Sequence, residues 1–325
     1  MPPPPPPLGR ARKKPAHLPP FGDPALDDAE LVAARSALAR GRWTEVRSLL
    51  RATGSDWDLR GHRVLGLAGE PTARVWARDW LLAEPDSTDA VVLLACAGVL
   101  RAVEGHDRPE KARAACAQAA ELVPDDPTPL LGLMLLEREL GSEEDVVRLF
   151  DEVRLRHPGH HHAHHLMVAR LAERRADVGQ DPLHEVYDFA SWASEQVAPD
   201  SPLALLPVVA HAERYRVLAR AGSLSDDPKA SGHWSGRRAR LVLKAAFDWW
   251  LEWGAARERT GASHPRGRID LNYLAHAKYC EGRPAEAAAL FHRIGRYSTP
   301  HPWSYPDRDP YEAFRVARSA ALGSV

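Results

Sequence analysis

Three short stretches of this chain follow one pattern: a glycine, an acid four residues on, a small residue next, and an apolar residue four further. They are Gly41-x3-Glu45-Val46-x3-Leu50, Gly141-x3-Asp145-Val146-x3-Phe150 and Gly282-x3-Glu286-Ala287-x3-Phe291. Self-similarity of this kind points to a repeat architecture before any other fold. The physical content is a helix pair. Glycine ends one helix in a left-handed turn that other residues adopt only at a cost. The acid then falls in the first turn of the next helix, where the macrodipole favours negative charge. The small residue lets a neighbouring helix approach, and the Leu or Phe fills the groove on the same face.

A second marker accompanies the first. Pro85-Asp86, Pro124-Asp125, Pro158-Gly159 and Pro199-Asp200 each close an Ala- and Leu-rich segment, at spacings of 39, 34 and 41 residues. Proline just past a helix end cannot continue it, so each dipeptide marks the turn into a new unit.

Composition agrees with an all-helical chain. Two isoleucines in 325 residues leave little strand-forming material, while Ala, Leu, Arg and Glu dominate. Six lysines and one asparagine beside 37 arginines are the coding bias of a GC-rich, actinobacterial-type genome and carry no functional signal. Lys and Arg total 43 against 44 Asp and Glu, so no global field steers the chain to nucleic acid or to an acidic partner. Cys96, Cys116 and Cys280 lie at apolar helical positions without metal-ligand spacing, which reads as reduced core thiols in a cytoplasmic protein. No apolar run approaches a membrane span and no signal-peptide pattern opens the chain.

Residues 1–23 read as a disordered tail, with six consecutive prolines followed by Arg10, Arg12, Lys13 and Lys14. From Asp27 helical periodicity begins. Leu31, Ala34 and Leu38 share one face before Gly41, and Trp43, Val46, Leu49 and Leu50 return. In the second unit Trp57, Gly61, Ala73 and Pro85 have the relative spacing of the tetratricopeptide signature, and here the chain resembles that family. Later units keep parts of the pattern: Ala112 and Ala119, then Gly141 and Phe150, then Leu274, Ala275, Gly282, Ala287 and Phe291. Asp181-Pro182 replaces the glycine turn in the fifth unit, and a polar loop from Ala221 to Gly236 interrupts the sixth. Asp309-Pro310 opens a last, capping helix. The expected fold is therefore all-α, a tetratricopeptide-like α-solenoid of about seven antiparallel helix pairs over residues 24–325. The resemblance implies a right-handed superhelix whose concave face binds peptides or partner domains. It implies no catalytic residues.

Two groups stand out from this framework. His157, His160, His161, His162, His164 and His165 crowd the start of the fifth unit. The pairs His160/His164 and His161/His165 each place two imidazoles on one helix face, a spacing that suits zinc or nickel, with a third ligand to come from elsewhere. The same cluster could sense pH, because imidazoles titrate near neutrality. Trp249, Trp250 and Trp253 form the second group, candidates for anchoring a partner in the groove. Tyr297, Trp303, Tyr305 and Tyr311 are expected to hold the last helix against the array. No Gly-x-Ser-x-Gly, phosphate loop or dinucleotide fingerprint is present, and His276-x3-Cys280 reads as core.

The functional expectation is a non-catalytic interaction scaffold, not an enzyme, with no cofactor and an unnamed protein or peptide partner in its concave groove. Two alternatives accompany it. One is metal binding or metal and pH sensing through His160, His161, His164 and His165. The other is a regulatory module touching nucleic acid through the basic tail.

Overall fold

The computed structural model describes residues 21–174, 181–256 and 264–323. Fifteen α-helices lie within them, and no strand does. They follow as α1 (Ala29–Ala39), α2 (Trp43–Thr53), α3 (Trp57–Ala68), α4 (Ala73–Ala83), α5 (Thr88–Val103) and α6 (Pro109–Leu122). Next come α7 (Thr128–Leu140), α8 (Glu143–Arg156), α9 (His161–Ala172), α10 (Glu185–Glu195), α11 (Leu206–Arg220) and α12 (Arg237–Trp249). The series ends with α13 (Gly267–Cys280), α14 (Pro284–Ile294) and α15 (Pro310–Leu322). Consecutive helices pack as seven pairs, and α15 packs on α14.

The repeated motif does what its chemistry demands, with one exception. Glu45, Asp145 and Glu286 all sit in the first turn of their helices. Val46, Val146, Ala287, Leu50, Phe150 and Phe291 are all buried. Gly41 and Gly282 adopt the expected positive φ, 79° and 81°. Gly141 does not: its backbone is extended, with φ −111° and ψ −172°. Glycine is needed there for a different reason, since a side chain would collide with Glu137 of the preceding turn.

The odd-numbered helices form one continuous row, α1 against α3, α3 against α5, and so on to α13. The even-numbered helices cover that row from outside, and their burial shows it. Three of eleven residues of α4 and three of fourteen of α6 are buried, one stripe each. Ten of twelve are buried in α9 and ten of fourteen in α13. The later helices of the inner row, α9 and α13, are thus enclosed on almost every side.

The enclosure arises because the row bends back on itself. A simple repeat array touches only its sequence neighbours. Here Arg268 Nε of α13 donates to Asp27 Oδ2 just before α1 at 2.8 Å, and His264 lies 3.4 Å from Asp58 of α3. Phe21 stacks edge-on against Tyr311 of α15, ring centroids 5.6 Å apart, and against Phe314 at 6.2 Å. Phe21, Gly22 and Asp23, expected in the tail, therefore belong to the folded body, and Asp23 pairs with Arg35. The proline run and the basic residues of the expected tail lie outside the described residues.

Trp303 closes the C-terminal end as anticipated, packed between Phe291 and Phe314 with centroids 5.6 and 5.3 Å away. Tyr305 instead turns inward to Tyr273 and Glu213. All three cysteines are free and buried.

Two glycines separate backbone constraint from propensity. An added Cβ at Gly41 would lie 2.7 Å from the Trp76 ring on a left-handed backbone, whereas one at Gly98 in α5 would meet nothing within 4 Å. Gly41→Ala is expected to lower the unfolding free energy by more than about 1 kcal/mol, and Gly98→Ala to raise it by ~0.5–1 kcal/mol. Urea unfolding of the two variants checks the opposite signs. Shifts in the same direction would contradict this placement.

Candidate metal centre

The middle of the molecule is polar, and α9 begins there. Asp58, in the first turn of α3, accepts from the backbone N–H of His161 at 2.9 Å, capping α9 from 103 residues away. Asp58 Oδ2 also meets His157 Nε2 at 3.0 Å. Burial opposes ionisation of Asp58, but the hydrogen bonds from His157 and His264 outweigh it and hold the carboxyl well below the usual range.

One turn further on, α9 faces α13. His161 Nε2 lies 2.8 Å from Asp270 Oδ2, and His165 Nε2 lies 3.2 Å from Asp270 Oδ1. A carboxylate only accepts, so Nε2 of His161 carries the proton. Burial pushes the His161 pKa down to about 3, more strongly than the Asp270 charge raises it. Asp270 is itself wholly buried; that burial works against its charge, yet His161 and His165 keep its carboxyl below the ordinary value. The rings of His161 and His165 are 4.2 Å apart, and that of His264 is 4.5 Å from His161.

His161, His165 and Asp270 offer one ligand atom each within 4.8 Å of one another, all three residues buried. Within this trio His161 Nδ1 is buried without a hydrogen-bond partner, and Asp270 Oδ1 has only the approach of His165 Nε2. Two imidazoles and one carboxylate make a donor set suited to a divalent transition ion rather than to calcium or magnesium, which take oxygen ligands. Nε2 of His160 and Nε of Arg266 are also buried without a hydrogen-bond partner.

Of the four histidines proposed from sequence as ligands, the fold brings two together. His161 and His165 converge on Asp270. His160 is the N-cap of α9, with Nδ1 accepting from Ala163 N at 3.4 Å. His164 points away, edge-on to Phe150 with centroids 5.0 Å apart, and donates Nδ1–H to the His160 carbonyl at 2.9 Å. The helix period separates the two i,i+4 pairs by about 100°, so although all four rings are buried only one pair faces α13.

The tryptophans differ in exposure. Trp250 is buried, and with Trp249, Leu205 and Leu271 it lines a narrow apolar cavity of about 50 Å³. Trp249 also donates Nε1–H to the Pro199 carbonyl at 2.7 Å, and Trp253, outside that wall, stays 37% exposed. His276 and Cys280 approach to 3.8 Å in the core, where burial raises the thiol pKa, so no thiolate forms there.

Asp58, Asp270, His264 and Arg266 escaped the sequence reading. Asp270 alone carried a signal: an acid between Ile269 and Leu271, one turn before Leu274, on a face that is otherwise core.

Compared with protein-family models, with curated proteins and with solved structures, the chain matches none. No described helix is long and apolar enough to cross a membrane.

Buried neutral histidines outside the centre give the stability a pH dependence of known sign. Burial lowers the pKa of His211 and of His276 to about 3, against about 6.5 for an exposed imidazole. Unfolding lets both take up protons. Their contribution is whole above pH 6.5 and is lost as pH falls towards 3, by on the order of 1–2 kcal/mol each between pH 6.5 and 5. Urea midpoints should coincide at pH 7 and 8 and drop by pH 5, and His211→Phe should recover part of that drop. A flat profile would contradict the burial of neutral rings.

Proposed function

We propose that this is a metal-binding helical-repeat protein, holding one divalent transition ion between His161, His165 and Asp270. The observation that carries the reading is the convergence of three buried donors from α9 and α13, with Asp270 Oδ1 met only by His165 Nε2 at 3.2 Å. Charge supports it. With imidazoles counted as neutral, Asp58 and Asp270 carry two negative charges, and the guanidinium of Arg266 feels both. Buried charge is costly unless paired, and a cation there replaces the proton that His161 lends to Asp270. Binding, not turnover, is proposed.

The architecture proposed around this centre is the tetratricopeptide-like solenoid. Seven successive pairs, their proline-closed units and the Trp57–Gly61–Ala73–Pro85 spacing support it. The three free, buried cysteines support a reducing, cytoplasmic setting.

A second reading, the interaction scaffold, draws on a different observation. Leu82 and Leu155 are 83% and 79% exposed, and each stands three residues before the proline that closes its unit. A partner would then dock along this outer edge, because the inner row is enclosed.

Equilibrium dialysis against zinc, read by elemental analysis of tag-free protein, tests the leading reading. One equivalent is expected in the native chain. Asp270→Asn keeps the shape and removes the charge, and should weaken binding by more than about 100-fold, beyond what lost outer-shell support alone costs. Equal zinc in both proteins would reject the site.

A further inference from the structure

We infer that a basic groove beside α12 docks an acidic, leucine-bearing segment of a partner protein. The groove is a hollow of about 680 Å³ between α12 and the turn that joins α13 to α14. It shares no residue with His161, His165 and Asp270, so it stands independently of the metal reading.

The helix α12 commits little of itself to the core. Only Ala239, Leu243 and Ala246 of its thirteen residues are buried. Its far face carries Arg237, Leu241, Lys244 and Asp248, with Leu251 in the turn that follows, at steps of four and three residues. All five line the groove. Leu241 and Leu251 are 61% and 54% exposed, and at 1.5 Å per residue they stand about 15 Å apart along the helix.

Charge in the groove is unbalanced. Each acid of its lining already has a lysine: Asp248 has Lys244 at 2.6 Å, and Glu281 and Glu286 share Lys278 at 3.1 and 2.7 Å. Arg237, Arg240 and Arg283 line the same hollow, are exposed, and have no ion-pair partner among the described residues. Five cations against three acids leave two positive charges in excess, on a chain whose formal net charge is −1. An acidic partner cancels that excess, and charges of this kind steer encounter and select the partner.

The leucines decide which acidic partner fits. Single-stranded nucleic acid needs aromatic faces on which its bases stack. Phe247 is the one aromatic residue of the lining, and its ring already meets the Lys278 ammonium at 5.3 Å and the Trp250 ring at 5.4 Å. Two exposed leucines with arginines around them suit the apolar and acidic side chains of an amphipathic segment instead. The chain's own basic stretch, Arg10 to Lys14, has the wrong sign for this groove.

Fluorescence anisotropy with a fluorescein-labelled peptide, in buffer without added metal, tests the inference. The peptide has about twelve residues, with leucine at helical i, i+3, i+4 and i+7 positions and glutamate elsewhere. The native chain should bind it saturably, and more tightly than a scrambled peptide of the same composition or an oligothymidylate of equal charge. Arg240→Glu with Arg283→Glu should lower the affinity at least ~10-fold, and so should Leu241→Ser with Leu251→Ser. All four positions are exposed, so urea midpoints of the variants should match the native one. No saturable binding, equal binding of the scrambled peptide, or unchanged affinity in either double variant would overturn the docking groove. Tighter binding of the oligothymidylate would overturn the peptide partner in favour of nucleic acid.

Discussion

Two carboxylates, Asp270 buried and Asp58 largely covered, set the terms for the polar interior of this all-helical protein. Asp58 and Asp270 lie in low dielectric, where an ionised group persists only with donors aimed at it. The chain supplies these from distant places: the start of α9, the side chains of His157, His161 and His165, and the segment that leads into α13. Meeting that demand draws residues 103 and 109 positions apart into hydrogen-bond distance. It also explains why the inner helices carry polar residues on one side. That side faces its counterpart across the middle, while the other packs against the outer row.

A closed centre changes what a helical repeat can offer. In an open array the concave surface is free for a partner. In this chain the start of α13 reaches Asp27 ahead of α1, and His264 before α13 reaches Asp58 of α3, so part of the inner surface is spent on internal contacts. Recognition is thereby displaced in two directions, inward to small ligands that can reach the polar centre and outward to the exposed edge leucines. The two are compatible, because Leu82 and Leu155 are exposed on the outer helices, away from His161, His165 and Asp270.

Much of the fold was legible in the sequence, and the reason is local chemistry. Glycine turns, first-turn acids and unit-closing prolines act over a few residues, so seven pairs and a final helix could be placed from them. Gly141 shows the limit even there, since its requirement comes from the Glu137 side chain and not from a left-handed turn. The site was half legible. The crowding of histidines was plain, and so was the i,i+4 geometry that joins His161 to His165. Which of two equivalent pairs turns inward depends on the rotation of α9 against Phe150 and Phe189, a tertiary fact. The third ligand was invisible for the same reason: nothing local distinguishes Asp270 from a solvated acid until α13 is seen against α9. The tryptophans differ in exposure because the turn of the helix carries Trp250 into the core and leaves Trp253 partly exposed.

Anomalous X-ray diffraction at the zinc absorption edge, from crystals grown with stoichiometric zinc, tests the central claim most directly. The account predicts one strong peak bonded to His161, His165 and Asp270, at about 2.0–2.2 Å from each ligand atom. Zinc found only on exposed histidines such as His106, with the His161–Asp270 hydrogen bond intact, would contradict it.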